Sequence, residues 1–237
     1  MGTITRRALL MGVPVMLGTL VLGGCADKKE DPVEEPPQTN AAKQLTVLES
    51  SWMNTTLPGA PAPTLRWVVI FKNPNDNLAC LKPSLRIVAT AADGTVVGSV
   101  DKVFEPLAPS ETMAFAEEMQ CTQVPANLSV EVITPEDEAS WSAATPTASN
   151  WNTDALTETY EENSHALSYT GWVSNSSPQD ELLVLTVVVR NSAGALVDGS
   201  CGTLTVPAGE AQQFELILFP APQEHASAEV FVHRFAV

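Results

Sequence analysis

The cysteine in this 237-residue chain that stands in a reactive context is Cys25. Gly23 and Gly24 before it are small enough for a peptidase to cut against, and Leu22 closes an apolar run that begins at Ala8. That run carries no charge, is broken only by Gly12, Pro14, Gly18 and Thr19, and follows Arg6 and Arg7. Charge, apolar stretch and small residues in that order make a removable export signal. The stretch is also short of the roughly 20 apolar residues that a spanning helix needs. The other residues with chemical potential lead to less. Cys80, Cys121 and Cys201 are an odd set without Cys-x-x-Cys spacing. His165, His225 and His233 are scattered among acidic or apolar neighbours, the setting of surface or edge residues rather than metal ligands. Ser164-His165 has no nucleophile elbow, since Gly-x-Ser-x-Gly does not occur. Glu136/Asp137 and Glu161/Glu162 sit in linker-like sequence, where solvated carboxylates are poor general acids or bases. Asn73-Pro74-Asn75-Asp76-Asn77 is rich in oxygen but holds one charge, and Ca²⁺ takes about six or more oxygens. It reads as a turn. No phosphate loop or dinucleotide fingerprint occurs. The expectation is a protein that is not an enzyme, with no catalytic residue, no metal site and no cofactor.

Leu22-Gly23-Gly24-Cys25, with the segment before it, resembles the lipobox of bacterial lipoproteins. The resemblance implies that 1–24 is a signal peptide and that Cys25 becomes the first mature residue. It also implies a diacylglyceryl thioether on Cys25, with palmitate as the kind of acyl chain. One acyl chain holds a protein to a membrane only marginally, and two hold it stably. Thr5-Arg6-Arg7-Ala8-Leu9-Leu10 looks like a twin-arginine export signal as well, which would mean folding before export. The expected location is the extracytoplasmic face of the cell membrane, with that membrane as a partner through the lipid. Residues 25–43 read as a tether. Asp-Lys-Lys-Glu-Asp-Pro and Glu-Glu-Pro-Pro cannot bury a core, and a coil of this length spans about 25 Å.

Without Arg6 and Arg7 the chain has 10 basic and 28 acidic side chains, a formal charge of −18. Nucleic acid and anionic head groups need basic patches, so no nucleic acid partner is expected. The charge keeps an exported protein dispersed and favours neutral or cationic partners.

From Gln44 onward the pattern is that of strands. Leu65 to Phe71 is a short apolar, β-branched run that stops at the Asn73 turn, and Leu85 to Thr90 is another with Arg86 and Thr90 on one face. Ala92-Asp93-Gly94-Thr95 carries the Asp-Gly pair of a hairpin turn. Val96 to Phe104 and Thr112 to Met119 follow, separated by a turn at Pro106 to Ser110, and Leu128 to Val132 alternates as a half-exposed strand. The pattern then returns. Leu167 to Val173 stops at Asn175, Leu183 to Val189 runs to a turn at Gly194, Leu196 to Thr205 follows, and Pro207-Ala208-Gly209-Glu210 matches Pro109-Ser110-Glu111. Phe214 falls where Phe115 does, and Gly94 and Gly194 are 100 positions apart, as are Val130 and Val230. A repeat of this length is one sandwich domain rather than a solenoid unit. The expected fold class is all-β: two tandem immunoglobulin-like β-sandwich domains after the lipoprotein signal and flexible linker. The expected bounds are 44–135 and 153–237, with 136–152 as the joining linker.

The order of strands and turns in each copy resembles the FxLYD-like domains of bacterial lipoproteins, over about Trp67 to Val132 and Tyr169 to Val232. The aromatic-Asp pair of that family, expected just before the glycine turn, is absent in both copies. Thr90 to Asp93 and Arg190 to Ala193 stand there instead. The family implies a fold and a surface location and brings no catalytic residues.

Cys80 and Cys121 occur only in the first copy, which suggests a disulfide. A loop of that size would contribute about 4 kcal/mol. Against it, strands that alternate up and down put the two loops at opposite ends of the sandwich. Cys201 is expected to be unpaired and buried. Trp67 and Trp172 read as core residues, whereas Trp141 and Trp151 are either pinned against a domain face or exposed to a partner. The leading functional expectation is a non-catalytic surface protein that binds a protein or glycan partner. The alternatives are a structural spacer or envelope-assembly factor, and an accessory subunit of a redox or transport complex.

Overall fold

The computed structural model describes residues 42–146 and 149–235. The signal 1–24, Cys25 and all but the end of the tether lie outside them. The regular structure is β throughout, apart from one 3₁₀ turn at Glu138–Ser140, with no α-helix among the described residues.

Seven strands belong to the first copy of the repeat: β1 (Thr46–Asn54), β2 (Thr64–Lys72), β3 (Leu78–Cys80), β4 (Ser84–Thr90), β5 (Val96–Val103), β6 (Thr112–Gln120) and β7 (Asn127–Ile133). Two short strands follow, β8 (Trp141–Ala143) and β9 (Trp151–Thr153). The second copy holds β10 (Thr157–Glu161), β11 (Ala166–Asn175), β12 (Glu181–Arg190), β13 (Leu196–Val206), β14 (Ala211–Leu218) and β15 (Ser227–Arg234). In the first sandwich an antiparallel β1-β2-β6 sheet faces a β5-β4-β7 sheet. In the second, β10-β11-β14, with β9 also on β11, faces β13-β12-β15.

Period-two alternation decides what goes inside. Leu85, Ile87 and Ala89 of β4 are buried, while Arg86 is exposed. They meet Trp67 and Phe71 of β2 in the first core. Phe115 points into that core, its ring 5.8 Å from Trp67 and 5.1 Å from Phe104. The second core gathers Leu167, Tyr169, Leu185, Val187, Phe214 and Leu218.

The copies agree in detail. Asn73 Nδ2 donates to the carbonyls of Leu78, Leu107 and Ala108, and Asn175 Nδ2 donates to those of Gln179, Val206 and Pro207. Each asparagine thus satisfies three carbonyls at a buried corner, which is why a polar residue closes an apolar strand. Gly94 and Gly194 both adopt left-handed φ, +85° and +80°, at the hairpin tip. Val130 pairs with Ile87, and Val230 with Val187.

The segment 136–152 is more than a connection. β8 pairs with β3 of the first sandwich, and β9 pairs with β11 of the second. Each end is therefore stitched to its own neighbour.

The sandwiches stack sheet on sheet. The outward residues Val68, Ile70, Ala114 and Ala116 of the β1-β2-β6 sheet pack against Val188, Leu196 and Phe231 of the β13-β12-β15 sheet. This explains why β2 is buried at every position from Leu65 to Phe71: both of its faces are covered.

Candidate functional site

The stacked joint carries most of the buried charge. Arg66 is 4% exposed and faces Asp198, which is 1% exposed. Arg66 Nε donates to Asp198 Oδ1 at 2.8 Å, and Nη2 to Asp198 Oδ2. The remaining guanidinium hydrogens reach the carbonyls of Phe219 at 3.0 Å and Pro220 at 2.8 Å. Burial pushes the Asp198 carboxyl up, against the pull of Arg66 and of the Gly199 N–H. Arg190 extends from the end of β12 to Glu49 on β1, at 2.6 and 2.8 Å. That fork holds the Glu49 carboxyl below its ordinary range. His233 Nδ1 lies 2.9 Å from Glu111 Oε1 across the same joint. Gly199 makes the fit: a Cβ there would come within 2.7 Å of Val68 Cγ2 and 2.8 Å of the Val187 carbonyl.

Where the joint opens at the Asn73 and Asn175 ends, it leaves a groove of about 610 Å³. One wall is the turn from Glu105 to Thr112, stiffened by Pro106 and Pro109. The other is Trp151 with Arg234, whose guanidinium carbon sits 6.0 Å from the indole centroid. Arg234 is held in place by two hydrogen bonds to Glu181, at 2.8 and 2.7 Å. Trp151 Nε1 donates to the Val232 carbonyl at 3.3 Å, so the ring is fixed before anything binds. The floor is the Glu111–His233 pair, and the second oxygen of Glu111 accepts from the Ala108 N–H at 2.6 Å. This is a rigid cleft with an aromatic and a cation on one side. Glu111 is engaged by His233 and the Ala108 N–H, and Arg234 by Glu181, while His233 Nε2 has no hydrogen-bond partner.

The residues singled out in the sequence are dispersed. Cys25 lies outside the described residues. Cys80 and Cys121 do not form the expected disulfide; both are free and buried. Cys80 N donates to the Leu107 carbonyl at the Asn73 end of β2, and Cys121 N to the Pro63 carbonyl at the opposite end. A nine-residue strand separates them, on the order of 25 Å, far beyond the roughly 7 Å that a disulfide allows. Burial pushes both thiols up. Cys201 is also free, sits half-buried mid-strand in β13, and donates from Sγ to the Ala116 carbonyl. Burial pushes its thiol up to about 11.

Two expectations change, and a choice left open is decided. His233 is buried in the joint instead of lying at the surface, because β15 turns it towards Glu111. Trp172 is 48% exposed and not a core residue, because it is out of phase with Tyr169, Gly171 and Val173, which face inward. Trp141 and Trp151 are both pinned, each against its own core. The Asn73 to Asn77 segment is the expected turn. Among the described residues no three His, Cys, Asp or Glu side chains converge as metal ligands, and no helix is long and apolar enough to cross a membrane.

No family model and no curated protein matches the chain. Among solved structures it is similar to Bacteroides uniformis β-glucuronidase 2 covalently bound to cyclophellitol-6-carboxylate aziridine, at 12% identity and a TM-score of 0.32, over 81% of this chain and 30% of that one. It is also similar to a putative β-galactosidase from Bacteroides fragilis, at 9% identity and a TM-score of 0.25, over 82% of this chain and 36% of that one. The chain spans about a third of the length of these two structures, at 30% and 36%. These likenesses assign no activity.

Proposed function

We propose that the chain is a lipid-anchored extracytoplasmic protein that binds a protein or glycan partner without chemistry of its own. In this reading Cys25 carries the lipid, and the two sandwiches are FxLYD-like surface modules. The partner sits in the groove between Trp151 and the Glu105 to Thr112 turn. The observation that carries the reading is the rigidity of that groove: its walls come from both sandwiches, which the buried Arg66–Asp198 pair and the apolar joint lock together. A preformed cleft binds without spending affinity on ordering itself.

The stacking also bears on the alternatives. A spacer gains reach when its modules lie end to end, whereas these lie face to face, four sheets thick, and the second adds no length along the strands. A redox accessory needs a thiol made reactive by a lowered pKa, and burial raises all three thiols here.

Anchoring is tested by fractionation and by the mass of the mature N-terminus. Cys25→Ala is expected to leave the membrane fraction or keep its signal, and an unlipidated wild-type Cys25 would end the anchoring argument. Groove binding is tested with a photo-cross-linker at Ser149, which lines the groove, and another at Ser129 on the far side of the first sandwich. Saturable capture in intact envelopes at position 149 alone, competed by added soluble chain, supports the groove. Equal capture at both positions refutes it.

A further inference from the structure

We propose that the outer face of the β10-β11-β14 sheet is a second binding surface, which takes an uncharged polysaccharide chain laid across Trp172. Trp172 sits on the central strand of that sheet with its ring 48% exposed, and no other described element covers the face. The asparagine corners set the equivalence between the copies: counting three residues back from Asn73 and from Asn175 pairs Ile70 with Trp172. In the first sandwich this face is a joint lined by Val68, Ile70, Ala114 and Ala116. The answering positions in the second are Thr170, Trp172, Gln213 and Glu215. A face meant for another sheet would have kept its aliphatic residues, since the centre of a stable protein interface is apolar. This one keeps a single large ring with polar residues beside it, and its one exposed aliphatic, Ile217, stands two outward-facing pairs further along the ladder.

Those groups fit sugar. The pairing Trp172↔Gln213 sets an amide beside the ring, and Thr170 and Ser174 follow at alternate positions along β11, on the same face. Asn152, paired with Ser174, adds a second amide. Hydroxyls and amides both donate and accept, as sugar hydroxyls do. Thr170 and Ser174 are also short, so the indole stands clear of its neighbours along the strand. Its electron-rich face suits the weakly positive C–H side of a pyranose ring. The charged groups facing outward on this sheet are Glu161 and Glu215, both acidic, which disfavours an anionic chain.

The surface adjoins the groove at β9, where Asn152 follows Trp151, and the test distinguishes the two. The mature chain carrying Cys25→Ala is passed over an array of extended neutral and anionic polysaccharides. Retention on at least one neutral chain is expected, falling about tenfold in Trp172→Ala. Trp172→Phe should recover most of it, and Ser129→Ala on the far side of the first sandwich should leave it unchanged. Gln213→Ala, a surface change that spares the ring, should weaken it measurably even if Trp172→Ala proves unstable. Retention on no neutral chain, retention on anionic chains alone, or loss in Trp151→Ala with none in Trp172→Ala would each overturn the proposal.

Discussion

In the first sandwich the outward residues of β2 and β6 are Val68, Ile70, Ala114 and Ala116, and they are buried. In the second, the answering residues of β11 and β14 include Thr170, Trp172 and Glu215, and they meet solvent. The opposite sheets reverse the contrast. On β4, β5 and β7 the free outer face carries Arg86, Asp101 and Glu131 side by side. At the same register on β12, β13 and β15 stand Thr186, Cys201 and Phe231, inside the joint. The inward phase of each strand is nearly common to both copies, whereas the outward phase records what each face touches. One fold thus keeps its core and assigns its surfaces independently.

That division can be broken most forcefully at Asp198. Asp198→Ala leaves Arg66 charged in the joint with only the exposed Glu118 carboxylate, 3.6 Å away, and should cost about 3–5 kcal/mol, read from chemical denaturation. Replacing both partners by leucine should restore most of the loss, because a buried ion pair competes poorly with apolar packing. Gly199 comes next. Gly199→Ala drives a methyl into Val68 and the Val187 carbonyl, for about 1–3 kcal/mol. Ser99 holds the same register on β5 at a free face, so Ser99→Ala should shift the midpoint by less than about 0.5 kcal/mol. Equal losses at the two positions would refute the comparison.

A smaller effect depends on pH. The Glu49 carboxyl is depressed in the folded state by Arg190. A depressed acid contributes stability that is present above its unfolded pKa and is lost as pH falls through the folded value. Glu49→Gln should therefore lower Tm at pH 7, with the difference closing below about pH 4. A deficit that persists at pH 3 would assign the effect to packing. The exposed Arg86–Asp101 pair, 3.0 Å apart on the free face, should matter least, with Arg86→Ala leaving the denaturation midpoint nearly unchanged. The thiols give a check without an energetic cost. Unreduced, denatured Cys25→Ala protein should take up three equivalents of alkylating reagent, and the folded protein at pH 8 almost none, since all three thiols are shielded and burial pushes that of Cys201 up to about 11.

How far this was legible varies with the strand. β2, β4 and β12 stand out as apolar, β-branched runs, and the Gly94 and Gly194 tips mark the hairpins that follow β4 and β12. β1, β3 and β8 are short or half polar, and become strands only because a partner supplies the ladder, the neighbouring β2 for β1 and a strand distant in the chain for β3 and β8. The exposure of Trp172 was readable in principle, since it keeps phase with Thr170 and Ser174 and breaks phase with Tyr169 and Val173. The unbroken apolar run of β2 likewise signalled two covered faces, though not what covers the outer one. Arg66 could not be placed from local pattern, because its partner lies 132 positions away on the other sandwich. For the same reason the groove was hidden: Trp151, His233 and the Pro109-Ser110-Glu111 turn each stand out in the sequence, but they lie on three separate stretches that only the fold brings together.

The joint also has a sense of direction. The back of one sandwich meets the front of the next, so the contact is heterologous, and nothing in its geometry prevents a third module from adding to either end. Contacts of this kind grow into open fibres unless the ends are made unlike the middle. Here they are unlike: one end shows Arg86, Asp101 and Glu131, and the other shows Thr170, Trp172 and Glu215. The chain is in effect a polymer of two units whose growth is stopped in sequence. Removing that stop takes both ends at once, Arg86→Thr, Asp101→Cys and Glu131→Phe on the first copy with Thr170→Val, Trp172→Ile, Gln213→Ala and Glu215→Ala on the second, and sedimentation would show it as self-association without unfolding.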